Sequence, residues 1–240
     1  MANYYFVENF TDNYKEAIIT TDLHHIKRVA RHNIGEKIGL LKKLEEEVSG
    51  NSVALKGEGI IKSFEKDFIT VKVIRYEFVK KPEYMFSLVI PNINMNSMRE
   101  IIKHGTELGV SVFYITEYKY SSLGSVNIQK WEKTVVEACK QSGNPLVPKI
   151  ERKNFKELSA ENNFYLCSKS SIIDNITVKK GNTLLFVGPE GGWADDELNW
   201  FKKNRLKGIK LTDTVLRSET AAIVGVGVLK FLNSRENINE

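Results

Sequence analysis

In the first third of the chain, apolar positions recur every second residue. Ile18-Ile19-Thr20, Lys37-Ile38-Gly39-Leu40-Leu41, Val53-Ala54-Leu55 and Phe68-Ile69-Thr70-Val71-Lys72-Val73-Ile74 are short alternating runs separated by Gly, Asn and Ser. This period predicts strands with one buried face, and therefore a small β-rich unit. One helix is expected to interrupt it. Thr21-Asp22 offers a cap, and Ile26, Val29 and Ala30 follow at helical spacing. Beyond Lys80-Lys81-Pro82 the pattern changes. Strands are predicted at 84–90, 110–116, 164–168, 184–188 and 208–212, and helices at 95–108, 129–142, 195–207 and 218–233. The helix over 95–108 puts Met98, Ile101, Ile102 and Gly105 on one face. Alternation of this kind implies an α/β domain with a parallel sheet covered on both faces. The boundary falls near 76–82, dividing the chain into 1–77 and 78–240.

Composition narrows the class. Of 240 residues, 42% are hydrophobic and 27% charged, which excludes wholesale disorder. No apolar run reaches the ~18–20 residues that cross a bilayer, and the longest, 221–232, contains Lys230. The first residues have neither a basic start nor a continuous apolar stretch, so no signal peptide is expected. Cys139 and Cys167 form neither a CxxC pair nor a disulfide framework. The expectation is a soluble cytoplasmic protein. Its net charge of +5 lies on one side of the boundary: residues 1–78 carry 12 basic and 12 acidic side chains, leaving 23 and 18 beyond. Within the neutral part, His25, Lys27, Arg28 and Arg31 cluster near His24 and His32. Such a cluster is either a phosphate-facing patch or a solvated helix face. Adjacent His24 and His25 have no Cys or third His at metal spacing, so no metal is expected.

Two stretches carry chemistry. Leu184-Leu185-Phe186-Val187-Gly188-Pro189-Glu190-Gly191-Gly192-Trp193 runs from an apolar strand into a loop of three glycines around one carboxylate. Glycines at a strand's carboxyl end let the backbone approach a ligand. The spacing is neither that of a Walker A loop nor GxGxxG. The second stretch, Lys210–Ala222, ends a strand, carries Leu211, Leu216 and Arg217 in a loop, and offers Ser218 as a cap for the last helix. Arg217 just before a helix N-terminus is electrostatically disfavoured, which suggests a function, whereas Glu219 there suits the dipole. Gly225 and Gly227 weaken that helix by about 1 kcal/mol each relative to Ala, a cost that close backbone packing offsets. Cys139, Cys167, Trp193, Trp200 and Phe201 read as core residues.

Together, Gly188-Pro189-Glu190-Gly191-Gly192 and Leu216-Arg217-Ser218-Glu219-Thr220-Ala221-Ala222 resemble the RsmE-type methyltransferases. His24-His25…Arg31, Thr106-Glu107-Leu108-Gly109, Trp131, Glu137-Ala138, Gln141-Ser142 and Val147-Pro148 match the same family in order along nearly the whole chain. The resemblance implies a PUA-like β-barrel followed by a SPOUT domain with a C-terminal trefoil knot, in a homodimer whose interface would pack Gly225 and Gly227. It also implies methylation of N3 of a uridine in 16S rRNA, within the 30S subunit, with S-adenosylmethionine as cofactor. Thr116, Phe186, Gly188, Gly191, Gly192, Leu211 and Leu216 would then hold the cofactor. Arg217, Glu190 and Glu219 would act on the uracil, and His25, Lys27, Arg28 and Arg31 would contact RNA. Two rivals stand beside this reading: a ribose 2′-O-methyltransferase of the same fold, which usually has an Asn-rich last motif, and a non-catalytic RNA-binding or assembly protein. The family usually has arginine where this chain has Tyr4, Tyr120, Asn144 and Thr214, and glycine where it has Thr212. Ala194 stands where a capping serine is usual, leaving Asp195 as the expected cap.

Overall fold

The computed structural model describes residues 3–48, 52–121, 124–167 and 176–236. The chain forms two compact units. One is Met1–Lys81 with Val136–Val147, and the other is Pro82–Val135 with Pro148–Glu240. The inclusion of Val136–Val147 in the first unit is not visible in the hydrophobic pattern.

The first unit contains β1 (Tyr4–Phe6), β2 (Asn9–Phe10), β3 (Glu16–Ile19), β4 (Lys37–Val48), β5 (Ser52–Phe64) and β6 (Ile69–Lys80), in the order β1-β4-β5-β6-β3-β2. All neighbours are antiparallel except β1 and β4. Register shifts at Glu58/Gly59 and Ile61/Ser63 bend the long strands around a core of Tyr5, Ala17, Ile19, Ile26, Leu40, Ile61 and Val71. At Gly59 the backbone passes so near Val71 and the Lys72 carbonyl that a Cβ would lie 2.8 Å from that oxygen. The expected helix after Asp22 is replaced by a five-residue π-turn, His25–Val29. Asp22 and Arg31 flank it in left-handed conformations, φ 59° and 55°, so the wider coil is entered and left abruptly. Only Ile26 is buried there; Val29, expected on the apolar face, is exposed. Buried Lys140 donates to Asp22 at 3.0 Å and pairs with Glu137 at 2.6 Å, which anchors the 136–147 segment within this unit.

The second unit is a parallel sheet of β7 (Tyr84–Pro91), β8 (Val112–Thr116), β9 (Lys149–Arg152), β10 (Asn162–Leu166), β11 (Gly181–Phe186) and β12 (Lys207–Ile209), ordered β12-β10-β11-β7-β8-β9. The strand expected over 164–168 ends at Leu166, and Ser168 lies outside the described residues. The helices are α1 (Met95–Glu107), α2 (Ile128–Ser142), α3 (Asp195–Lys203) and α4 (Ser218–Glu236). The Asn94 carboxamide starts α1 by accepting from the N–H groups of Asn96 and Ser97, and Met98, Ile101, Ile102 and Gly105 are buried as their spacing predicts. Helix α3 stops earlier than expected because Arg205 turns left-handed at φ 57°, releasing the chain into β12. Helix α4 packs on α1, β7 and β11. A Cβ on Gly225 would sit 2.9 Å from Leu185, so the chain itself explains this glycine, whereas Gly227 faces open space. Half-buried Lys230 donates to the Leu108 carbonyl at 2.6 Å, closing the C-terminus of α1, and its partial burial lowers its pKa. No helix among the described residues is long and apolar enough to cross a membrane.

Two measurements probe these cores. Gly59→Ala should lower the urea midpoint of the first unit by the equivalent of about 1–3 kcal/mol, because the strand must move off the Lys72 carbonyl; an unchanged midpoint would disprove the close approach. Cys139 is fully buried and its thiol is pushed up to about 12. Iodoacetamide at pH 8 should therefore label Cys139 only after denaturation, and labelling of the native protein would show that the α2 face is open.

Candidate functional site

Parallel strands leave their carboxyl ends along one edge, where connecting loops must satisfy backbone groups that no ladder pairs. Here β10, β11 and β12 end side by side. The Cys167 N–H donates to the Ile209 carbonyl, and that of Val187 to Val89, each at 2.9 Å. Beyond them lies a crevice of about 390 Å³. Its walls are Leu166 and Cys167, the loop Val187–Trp193, the stretch from Ile209 through Leu216, and Ser218 and Ala221 of α4.

Three side-chain or turn contacts hold the walls. Ser218 Oγ donates to the Gly188 carbonyl at 2.7 Å, stitching the two loops singled out in the sequence. Trp193 Nε1 donates to the Leu166 carbonyl at 2.6 Å and ties the glycine loop to β10. The Gly192 N–H closes a turn on the Pro189 carbonyl at 2.9 Å, and its φ of 75° is one that residues bearing a Cβ rarely adopt. A Cβ on Gly188 would press on the Trp193 ring at 3.1 Å. Ser218 thus does not cap α4. Arg217 holds the cap position, its carbonyl accepting from the Ala221 N–H at 2.8 Å.

The expected site residues fall into three groups. Gly188, Gly191, Gly192, Leu211 and Leu216 line the crevice, with Glu190 exposed beside them. Phe186 and Thr116 do not. Phe186 is fully buried against Trp200 and Phe201, because odd and even residues of a strand point to opposite faces. The Thr116 hydroxyl accepts from the Phe155 N–H at 3.0 Å and belongs to a neighbouring cavity. Arg217 is exposed beside the crevice lining, and Glu219 is half-buried, with Oε2 lacking a hydrogen-bond partner. In the first unit, His25, Lys27, Arg28 and Arg31 are all exposed. Lys27 is tied down by donating to the Glu65 carbonyl at 2.9 Å, with its ammonium over the Phe64 ring. Trp193 and Phe201 join an aromatic core with Tyr118, Phe155 and Tyr165, as composition predicts, but Cys167 borders the crevice.

Two residues escape a motif reading. Glu197 is 2% exposed. One carboxylate oxygen accepts from the Ala194 N–H at 2.8 Å and the other from the Lys119 N–H at 2.7 Å. It replaces the cap expected of Asp195 and binds the loop after β8 to the start of α3. A Glu three residues into a helix is the visible half of a capping box; its reach to Lys119 is not local and has no sequence signal. Tyr120, on that same loop, lies against Gly191: a Cβ on the glycine would sit 2.8 Å from that of Tyr120. The neighbouring cavity, about 900 Å³, is lined by Thr116, Lys119, Arg152, Lys153, Lys156 and Asp195 among others. Its four cations face four carboxylates, and Arg152 is paired with Glu117. No group of three or more potential ligands that could hold a metal occurs among the described residues.

Comparison with known proteins agrees with this geometry. Residues 80–230 match the RNA methyltransferase domain family. The chain is 27% identical over 226 residues to ribosomal RNA small subunit methyltransferase E 2 of Borreliella burgdorferi, covering 87% of this chain and 88% of that protein. It is 26% identical over 224 residues to the methyltransferase E of Rickettsia conorii, covering 88% and 87%. Among solved structures, methyltransferase E of Neisseria gonorrhoeae bound to S-adenosyl methionine aligns with a TM-score of 0.80 at 18% identity, covering 97% of this chain and 98% of that one. The Legionella pneumophila putative methyltransferase Lpg2936, with bound SAM, gives the same score and coverage at 19%. The mixed α/β fold is that of these SPOUT-like enzymes, and the sheet of the first unit fits a PUA-like module. With its two glycine- and leucine-bearing loops closed on one crevice, the chain belongs to the RNA methyltransferase domain family and resembles its RsmE type along nearly its whole length.

Proposed function

We propose that this chain transfers the methyl group of S-adenosylmethionine to N3 of a uridine in the 16S rRNA of the small ribosomal subunit. The observation that carries the reading is the single crevice made by the two loops and tied by Ser218 to Gly188. Its volume and its apolar lining of Leu166, Val187, Ile209, Leu211 and Leu216, interspersed with glycine backbone, fit a nucleoside-sized ligand. Gly188, Gly191, Gly192, Leu211 and Leu216 would hold the cofactor. When bound, it supplies an electrophilic methyl group on a sulfonium centre and leaves as a neutral thioether. The relatives named as ribosomal RNA small subunit methyltransferases support the rRNA substrate.

The chain's own residues have to deal with a weak nucleophile. Uracil N3 is an imide nitrogen that carries its proton at neutral pH, so attack needs a base and a donor for the carbonyl oxygen that gains charge. Glu190, exposed on the crevice, accepts the N3 proton as the N–C bond forms and the C–S bond breaks. Arg217 donates to the flanking uracil oxygen. Glu219, whose Oε2 is buried without a hydrogen-bond partner, orients Arg217. The first unit, with Arg28 and Arg31 exposed, serves as the RNA-contacting module. A trefoil knot, a homodimer and action within the 30S subunit in the cytoplasm belong to the same proposal.

Calorimetric titration with S-adenosylhomocysteine and tritiated methyl transfer to unmodified 30S subunits test the reading together. Label mapped to uracil N3 is expected; ribose label would mean a 2′-O-methyltransferase, and binding without transfer would mean a scaffold. Arg217→Ala should cut transfer by about 10²–10³-fold with homocysteine-product affinity nearly unchanged, and a fully active variant removes Arg217 from the mechanism. Ser218→Ala should instead weaken product binding by about two- to tenfold, since it leaves the Gly188 carbonyl unpaired and the loops unstitched.

A further inference from the structure

Resting on the proposed function, we infer that Tyr120 is a positioning residue, a stacking platform for an unstacked nucleobase of the RNA substrate at the edge of the methyl-donor crevice. The residue sits in a tight turn. The Ser121 N–H donates to the Tyr118 carbonyl at 3.0 Å, and Ser121 Oγ accepts from the Tyr118 N–H at 2.9 Å. Tyr118 anchors the turn in the core, 5% exposed and edge-on to Trp193 at 5.0 Å. Buried Glu197 holds it again through the Lys119 N–H. This turn presents Tyr120 half-exposed, at 50%, with its Cβ and ring edge against Gly191 of the crevice wall. On the opposite loop, Val215 also lines the crevice and is 89% exposed.

The fixed turn holds the half-exposed Tyr120 ring at the crevice edge, where the face of a ligand can cover it. The ligand's chemistry follows from the surroundings. The Lys119 ammonium lies 5.8 Å from the Tyr120 ring centre, a pairing that suits a base on the ring and its phosphate on the lysine. Lys119 is one of four cations on the adjoining 900 Å³ cavity, which four carboxylates face, so stacking on the ring carries more of the selectivity for this nucleotide than charge does. Gly191 matters for the same reason: any side chain there would push Tyr120 off the wall.

The test uses the full-length protein with a short oligouridylate at low salt and with unmodified 30S subunits. Tyr120→Ala should weaken oligouridylate binding by about tenfold, and raise KM for the subunits similarly with little change in kcat, as expected for loss of one stacked base. Tyr120→Phe should restore both, and Tyr120→Leu neither. Lys119→Ala should reduce the logarithmic salt slope by about 0.7. S-adenosylhomocysteine affinity should be unchanged in all of them. Wild-type protein that fails to bind oligouridylate, an alanine variant that binds as wild type, or a parallel loss of homocysteine-product affinity each overturns the inference. Failure of the wild type to bind that product or to transfer methyl groups would instead strike the proposed function itself.

Discussion

One hydroxyl-to-carbonyl hydrogen bond, Ser218 to Gly188 at 2.7 Å, ties together the two loops that wall the crevice. The two loops it joins are 30 residues apart in sequence and lie beyond strands whose ladders have ended. A glycine-rich loop left unpaired there would pay the full conformational cost of order with little apolar burial in return. The bond and its counterpart, Trp193 to Leu166, satisfy carbonyls that would otherwise face an apolar wall. The Trp193 bond also fixes the ring against Gly188, where an added Cβ would lie 3.1 Å from it.

The larger of the two cavities is not the one the proposed function uses. The 900 Å³ space beside the crevice has more room but is balanced in charge, with Thr116 already bonded to Phe155 and Glu117 to Arg152. The 390 Å³ crevice is smaller, and its exposed carboxylate stands beside open glycine backbone. Volume measures only where atoms are missing. Function follows where unbonded polar groups and accessible backbone meet.

Much of this was legible in the sequence, for identifiable reasons. Strands of four or more alternating residues and the one-faced helix at Met95 read correctly because burial sets their period. Strands β1, β2 and β9 were not legible, being two to four residues long, too short for any period to register. The π-turn at His25 looked helical because a wider coil shares the first apolar contacts of an α-helix. At the site, the glycine and leucine loops were readable as composition, whereas Phe186 and Thr116, given to the cofactor by family resemblance, have side chains that do not line the crevice. Glu197 and Tyr120 act through contacts across 78 and 71 residues respectively, and no local pattern announces such a span.

The four positions where arginine is usual in the family show where this chain departs from its relatives. Tyr4 lies against Gly39 and Gly143 with the Lys56 ammonium 5.1 Å from its ring, so its bulk has become part of the first unit's packing. Asn144 accepts from the Leu146 N–H at 3.0 Å, and the Thr214 hydroxyl pairs with that of Thr212 at 3.2 Å. Three of the four replacements are thus folded into local structure. Tyr120 is the one that presents an exposed aromatic ring. Each arginine lost removes a phosphate contact and its share of counterion release, whereas an aromatic face gains affinity by stacking, which salt screens little. On the stacking inference, recognition by this chain would shift from charge toward base stacking, and an RNA segment with unpaired, accessible bases would suit it better than a regular duplex.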